Sequence, residues 1–202
     1  GCIQVYSAAT LEKLAEIPDP GTSVSCLAVV GSTIWSAGNR RGGEQEIHVW
    51  DATTRSCVHA FVAHQRKITY LAAVGIGGVT KTVWSATEDG SMAVWSAENY
   101  TRRARMERHS ASISCLAVFP DQVWSCSWDK SILVWSASSY RFLGDLKGFH
   151  SDTVLAAVSM PSSKKTGGEI DIWTCSTDKS CCVWSVLPVP TVFSAFSSGH
   201  QQ

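Results

Sequence analysis

A tryptophan-centred segment recurs four times along the chain, and this repeat constrains the fold more than any other feature of the sequence. The four copies read TIWSAG…EIHVWD, TVWSATEDGSMAVWSA, QVWSCSWDKSILVWSA and DIWTCSTDKSCCVWSV. Their second tryptophans, Trp50, Trp95, Trp135 and Trp184, are separated by 45, 40 and 49 residues. Self-similarity at a period of about 20–50 residues is typical of repeat architectures, so the chain is expected to consist of similar units packed in series.

Each copy is predicted to belong to a four-stranded unit. An apolar run precedes each copy (VSCLAVV, ITYLAAV, ISCLAVF and TVLAAVSM), and a weaker run follows the first three (CVHAFVA, RARMERH and RFLGDLKG). These runs are short, rich in Val, Ile, Trp and Ser, and separated by turn-forming residues, as strands are. No window has a convincing helical period. The predicted fold class is therefore all-β, with the four short antiparallel strands per unit of a β-propeller blade.

The repeat resembles the WD-repeat (WD40) propeller family over nearly the whole chain. The family's pattern links a His before the first strand, a Ser or Thr in the second strand, an Asp in the following turn and the Trp of the third strand. Three sets match at the same offsets: His64, Ser85, Asp89 and Trp95; His109, Ser125, Asp129 and Trp135; His150, Thr174, Asp178 and Trp184. We expect each set to form a buried network in which the hydroxyl accepts the indole N–H and the Asp orients the His.

The first full unit departs from this pattern. Ser36 and Trp50 match, but Pro20 stands at the place of the His. Its turn is expanded to GNRRGGEQE and has no matching Asp. This unit is therefore expected to lack the polar network and to rely on packing.

The strand count predicts about four and a half blades. Residues 1–16 are expected to form the last two strands of an earlier blade, followed by blades at about 24–63, 68–109, 113–150 and 154–196 and a tail at 197–202. Because the WD40 family, which the repeat resembles, usually forms a closed ring of seven blades, residues 1–196 are interpreted as the C-terminal part of a larger propeller. The remainder would lie upstream or in another polypeptide, since two open apolar faces need a partner. The alternative is a small closed ring of four or five blades.

The resemblance also implies a partner-binding face at the end of the blades that carries the Asp turns. The family's binding positions are the residue before the turn Asp and those three and five after the His. They correspond here to Glu88, Trp128, Thr177, Lys67, Thr69, Ser112, Ser114, Thr153 and Leu155, and the expanded turn adds Arg40 and Arg41. Trp128 is unlike its neighbours in the repeat, and an exposed Trp on a rigid turn is a typical interface anchor. The alternative is that Trp128 folds over its own loop or packs on Lys130.

Catalysis and metal binding find little support in the sequence. His64, Ser85 and Asp89 are the residue types of a catalytic triad. However, the same trio recurs in three successive units, and an enzyme needs only one site. The eight cysteines and six histidines show no paired spacing of zinc-site type. We therefore expect no enzymatic activity, no metal and no cofactor.

The charge balance does not favour a nucleic acid or an anionic membrane as partner. Basic residues (Lys and Arg) and acidic residues (Asp and Glu) each number 17, giving a net charge of zero, so nucleic-acid binding would have to rest on a local patch. The stretch TRRARMERH, with Arg102, Arg103, Arg105 and Arg108, is interpreted as a charged outer strand that resists unwanted pairing. An acidic or phosphate-bearing partner for this strand is the alternative.

Location and function are predicted from what the chain contains and lacks. No run approaches the roughly 18 apolar residues of a membrane span, and the start GCIQVYS does not have the layout of a signal peptide. Most cysteines lie in apolar runs, where a thiol packs as a small hydrophobe, so we expect a cytoplasmic protein with reduced cysteines. The predicted function is a non-catalytic scaffold for a peptide or protein partner. The alternative is a mainly structural half-propeller that completes a ring or an oligomer.

Overall fold

The computed structural model describes residues 2–18, 23–39, 43–76, 79–119, 121–161 and 170–186. The regular elements within these ranges are all β-strands, which confirms the predicted all-β class. No helix in the described ranges is long and apolar enough to cross a membrane. Pro20, Arg40, Arg41, the candidate strand TVFSAF and the tail 197–202 lie outside the described residues.

Seventeen described strands form one hairpin and four larger antiparallel sheets. The hairpin pairs β1 (Cys2–Tyr6) with β2 (Lys13–Pro18). Blade 1 contains β3 (Ser23–Val30), β4 (Thr33–Asn39), β5 (Gln45–Asp51) and β6 (Cys57–His64). Blade 2 contains β7 (Ile68–Ile76), β8 (Val79–Thr87), β9 (Ser91–Ser96) and β10 (Arg102–Glu107). Blade 3 contains β11 (Ile113–Val118), β12 (Gln122–Ser127), β13 (Ile132–Ser136) and β14 (Phe142–Asp145). Blade 4 contains β15 (Val154–Pro161), β16 (Ile170–Ser176) and β17 (Cys181–Val186).

Each blade has two distinct ends, because its strands follow one another in chain order and run antiparallel. The turns between second and third strands lie at one end, together with the connections from one blade to the next. We call this end the top face, formed by residues 65–67, 88–90, 110–112, 128–130, 151–153 and 177–179. The turns between first and second strands, and between third and fourth strands, lie at the opposite end, the bottom face.

The blades pack face to face in chain order around three apolar clusters. The first strand of each blade contacts the first strand of the next, from β3 to β7, β11 and β15. Trp35, Trp84 and Trp124 occupy the same place in successive second strands and are at most 1% exposed. Their rings contact aromatic residues of the following blade at centroid distances of 5.7, 6.1 and 6.0 Å, namely Tyr100, Tyr140 and Trp184. These tryptophans therefore join one blade to the next.

One apolar face of blade 4 is not covered by any of the described residues. Trp173 stands at the place of the three buried tryptophans, yet it is 43% exposed. On the neighbouring strand β15, Leu155, Val158 and Met160 are also exposed. Extensive contacts between described blades occur only between blades that follow one another in the chain. The described blades therefore form an open arc. The small closed ring considered from the sequence is not formed by the residues described.

Candidate functional site

Blade 3 contains a continuous chain of buried polar groups between its strands and its top face. The Nε1–H of Trp135 donates to Ser125 Oγ at 2.9 Å, and that oxygen lies 2.8 Å from His109 Nε2. His109 Nδ1 lies 2.8 Å from a carboxylate oxygen of Asp129. Since a carboxylate only accepts, Nδ1 carries the imidazole proton, and Nε2 of the neutral ring accepts from the Ser125 hydroxyl. All four side chains are thereby satisfied by one another.

Blade 4 has the same chain of contacts in a looser form. Trp184 donates to Thr174 Oγ1 at 3.0 Å, and this oxygen lies 2.9 Å from His150 Nε2. The distance from His150 Nδ1 to Asp178 is 3.3 Å. The backbone N–H of Ser151 also donates to Asp178 at 2.8 Å. Asp178 is therefore held beside the His by the connection between blades 3 and 4.

Blade 2 has the inner part of the network without the link between Asp and His. Trp95 donates to Ser85 Oγ at 2.8 Å, and His64 Nε2 lies 2.7 Å from the same oxygen. Asp89 instead accepts the hydroxyl of Thr87 at 2.5 Å and, among described groups, has no hydrogen bond to His64. The expected orientation of His64 by Asp89 is therefore wrong. In blades 3 and 4 the backbone N–H of the residue after the His holds the Asp, whereas among the described groups Asp89 has no such bond.

Blade 1 retains one bond of the network, which corrects the expectation that it would rely on packing alone. Trp50 Nε1–H donates to Ser36 Oγ at 2.8 Å, and both side chains are buried. The third-strand residue His48 is 4% exposed, and its Nε2 lies 3.0 Å from Glu46. The indole–hydroxyl bond therefore forms without the preceding His or the turn Asp, because both partners lie on paired strands of one sheet.

The environment of the networks in blades 2 and 3 keeps His64 and His109 neutral. Burial lowers the pKa of His64 to about 4, and the nearby Asp89 opposes this only in part. Burial also lowers the pKa of His109, against the opposing influence of Asp129. For Asp129 itself, burial disfavours the charge, but hydrogen bonds from Ser131 and the proximity of His109 outweigh burial and lower its pKa. A neutral imidazole beside an ionised carboxylate follows.

Acidification is expected to destabilise the fold through these histidines. The pKa of His64 is about 4 in the folded chain against an ordinary value of 6.5. Between these values the unfolded chain binds a proton that the folded chain does not. The free energy of unfolding is therefore highest above pH 6.5 and decreases as the pH falls towards about 4. The decrease due to His64 is about 3 kcal/mol.

Denaturant unfolding across this pH range measures the effect. His64→Gln should flatten the dependence of the unfolding free energy on pH. His59→Gln, which removes an exposed His from β6, is the matched control and should leave the slope unchanged. The part of the slope that is due to His109 should remain, and a slope that His64→Gln leaves unchanged would show that His64 does not titrate in this range.

On the top face, the structure brings the predicted binding residues together in pairs. The backbone N–H of Glu88 donates to the carbonyl of Lys67 at 2.9 Å. The same bond joins the residue before the turn Asp to the connection from the preceding blade in the next two units. The pairs there are Trp128 with Ser112 at 2.9 Å and Thr177 with Thr153 at 3.0 Å. Each pair therefore forms one fixed element of the surface, although its two members are about twenty residues apart in the chain.

Trp128 is exposed on a rigid turn. Its side chain is 58% accessible to solvent. The turn below it is held by Asp129 N–H donating to Ser127 Oγ and by Ser131 N–H donating to Asp129 Oδ1, at 3.1 and 3.0 Å. Lys130 takes the left-handed conformation that closes the turn, with φ 71°. The indole therefore has a fixed base and a solvent-facing ring.

Two of the predicted binding residues have a second role, as links between blades. Thr69 Oγ1 lies 2.7 Å from the carbonyl of Ile113, and Ser114 Oγ lies 2.5 Å from the carbonyl of Val154. Each hydroxyl thus contacts the first strand of the following blade. Leu155 occupies the same position in blade 4 and is exposed, since no further blade covers it in the described chain.

Ser25 makes the corresponding contact from blade 1 and was not recognised in the sequence. Its Oγ lies 2.9 Å from the carbonyl of Ile68 in blade 2. The parallel between VSCLAVV and ISCLAVF was a sufficient signal for it, because Ser25 and Ser114 occupy the same place in the two runs.

The geometry gives no support to catalysis by the recurring trio. Ser85 and Ser125 are 0% exposed and Thr174 is 1% exposed, so a substrate cannot reach their hydroxyls. The cysteines are all free thiols. Among the described residues, no group of three or more His, Cys, Asp or Glu side chains is placed to hold a metal ion.

Comparison with known proteins was informative at the level of structure. No family profile and no curated protein matches the chain in sequence. The crystal structure of the RRP9 WD40 repeats superposes with a TM-score of 0.63 at 21% identity, over 83% of this chain and 52% of that one. The fold is that of a WD40 propeller. At this level of identity the likeness concerns the fold alone.

Two computationally designed proteins also superpose on this WD40 fold. Ika8 has a TM-score of 0.71 at 22% identity, over 91% of this chain and 52% of that one. Ika4 has a TM-score of 0.66 at 22% identity, over 84% of this chain and 94% of that one. The chain therefore spans about half the length of Ika8 and of the RRP9 repeats, and nearly all of Ika4.

Proposed function

We propose that this chain is a non-catalytic protein-interaction scaffold whose WD40 top face binds a peptide or a protein domain. The observation that carries this proposal is Trp128, 58% exposed on a hydrogen-bonded turn. A fixed aromatic side chain loses little conformational freedom on binding, which is why such residues dominate interface energies. No buried contact of the fold requires a Trp at this position, since the equivalent residues are Glu88 and Thr177.

Further residues of the same face would complete the contact around Trp128. Lys67, Glu88 and Thr177 are exposed on the same face, while Ser112 and Thr153 are half-buried. A cation, a carboxylate and hydroxyls around one aromatic anchor match the polar rim and apolar centre of protein interfaces. Arg40 and Arg41, from the expanded turn of blade 1, are proposed to extend this surface. Because all eight cysteines are free, a cytoplasmic setting that keeps thiols reduced is part of the proposal.

Trp128→Ala is expected to weaken partner binding by about 30-fold, which corresponds to the loss of a hot-spot residue. Peptides are first selected on the unmodified chain from a displayed random library, and their affinities are then measured by calorimetry. Trp173→Ala is the matched control, because it removes an exposed Trp from a different surface. Binding that survives Trp128→Ala but is abolished by Trp173→Ala would reject the top face as the site.

The second candidate function is structural completion of a larger ring. The exposed Trp173, at a position that is buried in the three preceding blades, favours it. Under this proposal the open face of blade 4 packs on a further blade, supplied by another part of the polypeptide or by a second subunit. The burial of the exposed part of the Trp173 indole, about 100 Å² of surface, would drive that contact.

A further inference from the structure

The bottom face contains a cavity that the top-face proposal does not use. It has a volume of about 1010 Å³ and lies where the first three blades meet. Its described lining comes from the β3–β4 turn of blade 1, from β8, β9, β10 and the β9–β10 turn of blade 2, and from the β13–β14 turn of blade 3. The lining includes Lys81, Arg103, Glu98, Ser96, Thr82 and Tyr140. The lining therefore combines charged side chains, hydroxyls and one aromatic ring.

Two cations in the lining of this cavity form no ion pair among the described residues. Lys81 and Arg103 are both exposed. Among the residues described, neither forms an ion pair, and this includes Glu98, the one carboxylate in the described lining. By contrast, Arg105 on the same strand as Arg103 pairs with Glu107 at 2.6 Å. The charge of the cavity is therefore available to a ligand.

Comparison of the blades shows that this pair of cations is a departure from the repeat. The carbonyl of Lys81 accepts the N–H of Ala97, and the residues that accept the same bond in blades 1 and 3 are Ser32 and Asp121. Arg103 comes directly after Arg102, which pairs with Trp95 of the third strand. The residues at the same position in blades 1 and 3 are Val58 and Leu143. The frame of the blade thus tolerates neutral, acidic or apolar residues at these positions, so the fold does not require the two cations.

The structure also orients Arg103 and the wall opposite it. Ser96 is 3% exposed, and its Oγ accepts a hydrogen bond from the Arg103 guanidinium at 3.4 Å. The Tyr140 ring packs edge-on against the buried Trp84 at a centroid distance of 6.1 Å. A guanidinium oriented by a buried hydroxyl loses less freedom when it binds an oxyanion.

We propose that this bottom-face cavity binds a peptide segment through an anionic side chain, a carboxylate or a phosphate, held between Lys81 and Arg103. The volume equals the upper end of ordinary ligand pockets, about 300–1000 Å³, so several residues enter rather than a lone ion. The hydroxyls of Thr82 and Ser96 add polar contacts beside the cations. A nucleic acid would need a row of free cations for successive phosphates, whereas Arg105 is paired and Arg108 lies over the Phe142 ring at 4.1 Å.

Three peptide libraries test the proposal on the full chain. Each is randomised on both sides of a fixed central residue, which is phosphoserine, glutamate or glutamine. We expect at least one anionic library to bind about tenfold more tightly than the glutamine library. Whichever anionic library binds better identifies the source of the anion. Inorganic phosphate is the competitor, and its binding in the absence of any preference for anionic peptides would overturn the proposal of a peptide ligand.

Matched variants locate the binding. Arg103→Gln and Lys81→Gln should each weaken the anionic peptides about tenfold. Arg102→Gln makes the same charge change at the neighbouring residue, outside the lining, and should leave the affinity within about twofold. Trp128→Ala should have no effect, which separates this site from the top face. Equal losses for Arg102→Gln and Arg103→Gln, or no preference for the anionic libraries, would overturn the proposal. All the substituted cations are exposed, and thermal unfolding verifies that the variants fold.

Discussion

Replacing Trp84 with alanine is expected to destabilise the chain by about 3–5 kcal/mol, the cost of a large buried aromatic residue. Trp84 is 0% exposed and packs between blades 2 and 3 against Tyr140. Its removal leaves a void that close-packed neighbours fill only in part. Trp173→Ala, at the same position of blade 4, should cost less, about 2 kcal/mol, since that indole is 43% exposed. Urea unfolding followed by tryptophan fluorescence measures both losses.

The comparison between these two tryptophans also tests whether the arc is open in solution. A loss for Trp173→Ala as large as that for Trp84→Ala would mean that another surface covers Trp173. Sedimentation would then reveal a second copy of the chain, and Trp173→Asp should dissociate it by placing a charge in an apolar contact. The open arc of the described blades predicts a monomer in which Trp173→Ala lowers the free energy of unfolding less than Trp84→Ala does.

Ser125→Ala is expected to cost about 3 kcal/mol, because one small deletion leaves two buried polar groups without a partner. The Trp135 indole N–H and His109 Nε2 both bind the Ser125 oxygen, at 2.9 and 2.8 Å. Both side chains are buried, so water cannot replace the hydroxyl. Chemical unfolding measures the change, and loss of the downfield indole N–H resonance of Trp135 in an NMR spectrum reports the broken bond.

Two substitutions control for side effects of this change. Ser125→Thr keeps the oxygen and should restore most of the stability, since Thr174 makes the same two bonds in blade 4. Ser138→Ala removes an exposed hydroxyl from the next turn and should cost little. If Ser125→Ala were as mild as Ser138→Ala, the buried network would contribute nothing measurable to stability.

Much of the fold and of the buried networks was predictable from the sequence because both depend on short separations along the chain. Ser125 and Trp135 lie on adjacent strands joined by a tight turn, and the spacing of ten residues alone brings them together. The same spacing joins Ser85 to Trp95 and Thr174 to Trp184. A repeat of such hairpins leaves few alternatives to stacked four-stranded sheets.

The sequence was less informative where two contacts compete for one group. Asp89 has the spacing of its counterparts, yet it accepts from Thr87 and not from His64. Thr69 and Ser114 have the position of surface residues, yet their hydroxyls reach carbonyls in the following blade. Distances and angles in the folded chain decide such choices, and residue spacing does not contain them.

By itself, the sequence determined the unit of this protein: a four-stranded blade with an indole–hydroxyl bond inside it and an unusual Trp128 on its turn. The tertiary structure decided which copies of the unit are covered and what meets between them. It buries Trp84 and exposes Trp173, although their strands are nearly alike, and it brings Lys81 and Arg103 to one cavity beside Tyr140. The physical reason is that a blade is formed by hydrogen bonds between near neighbours in the chain, whereas burial and cavities arise from packing between whole sheets.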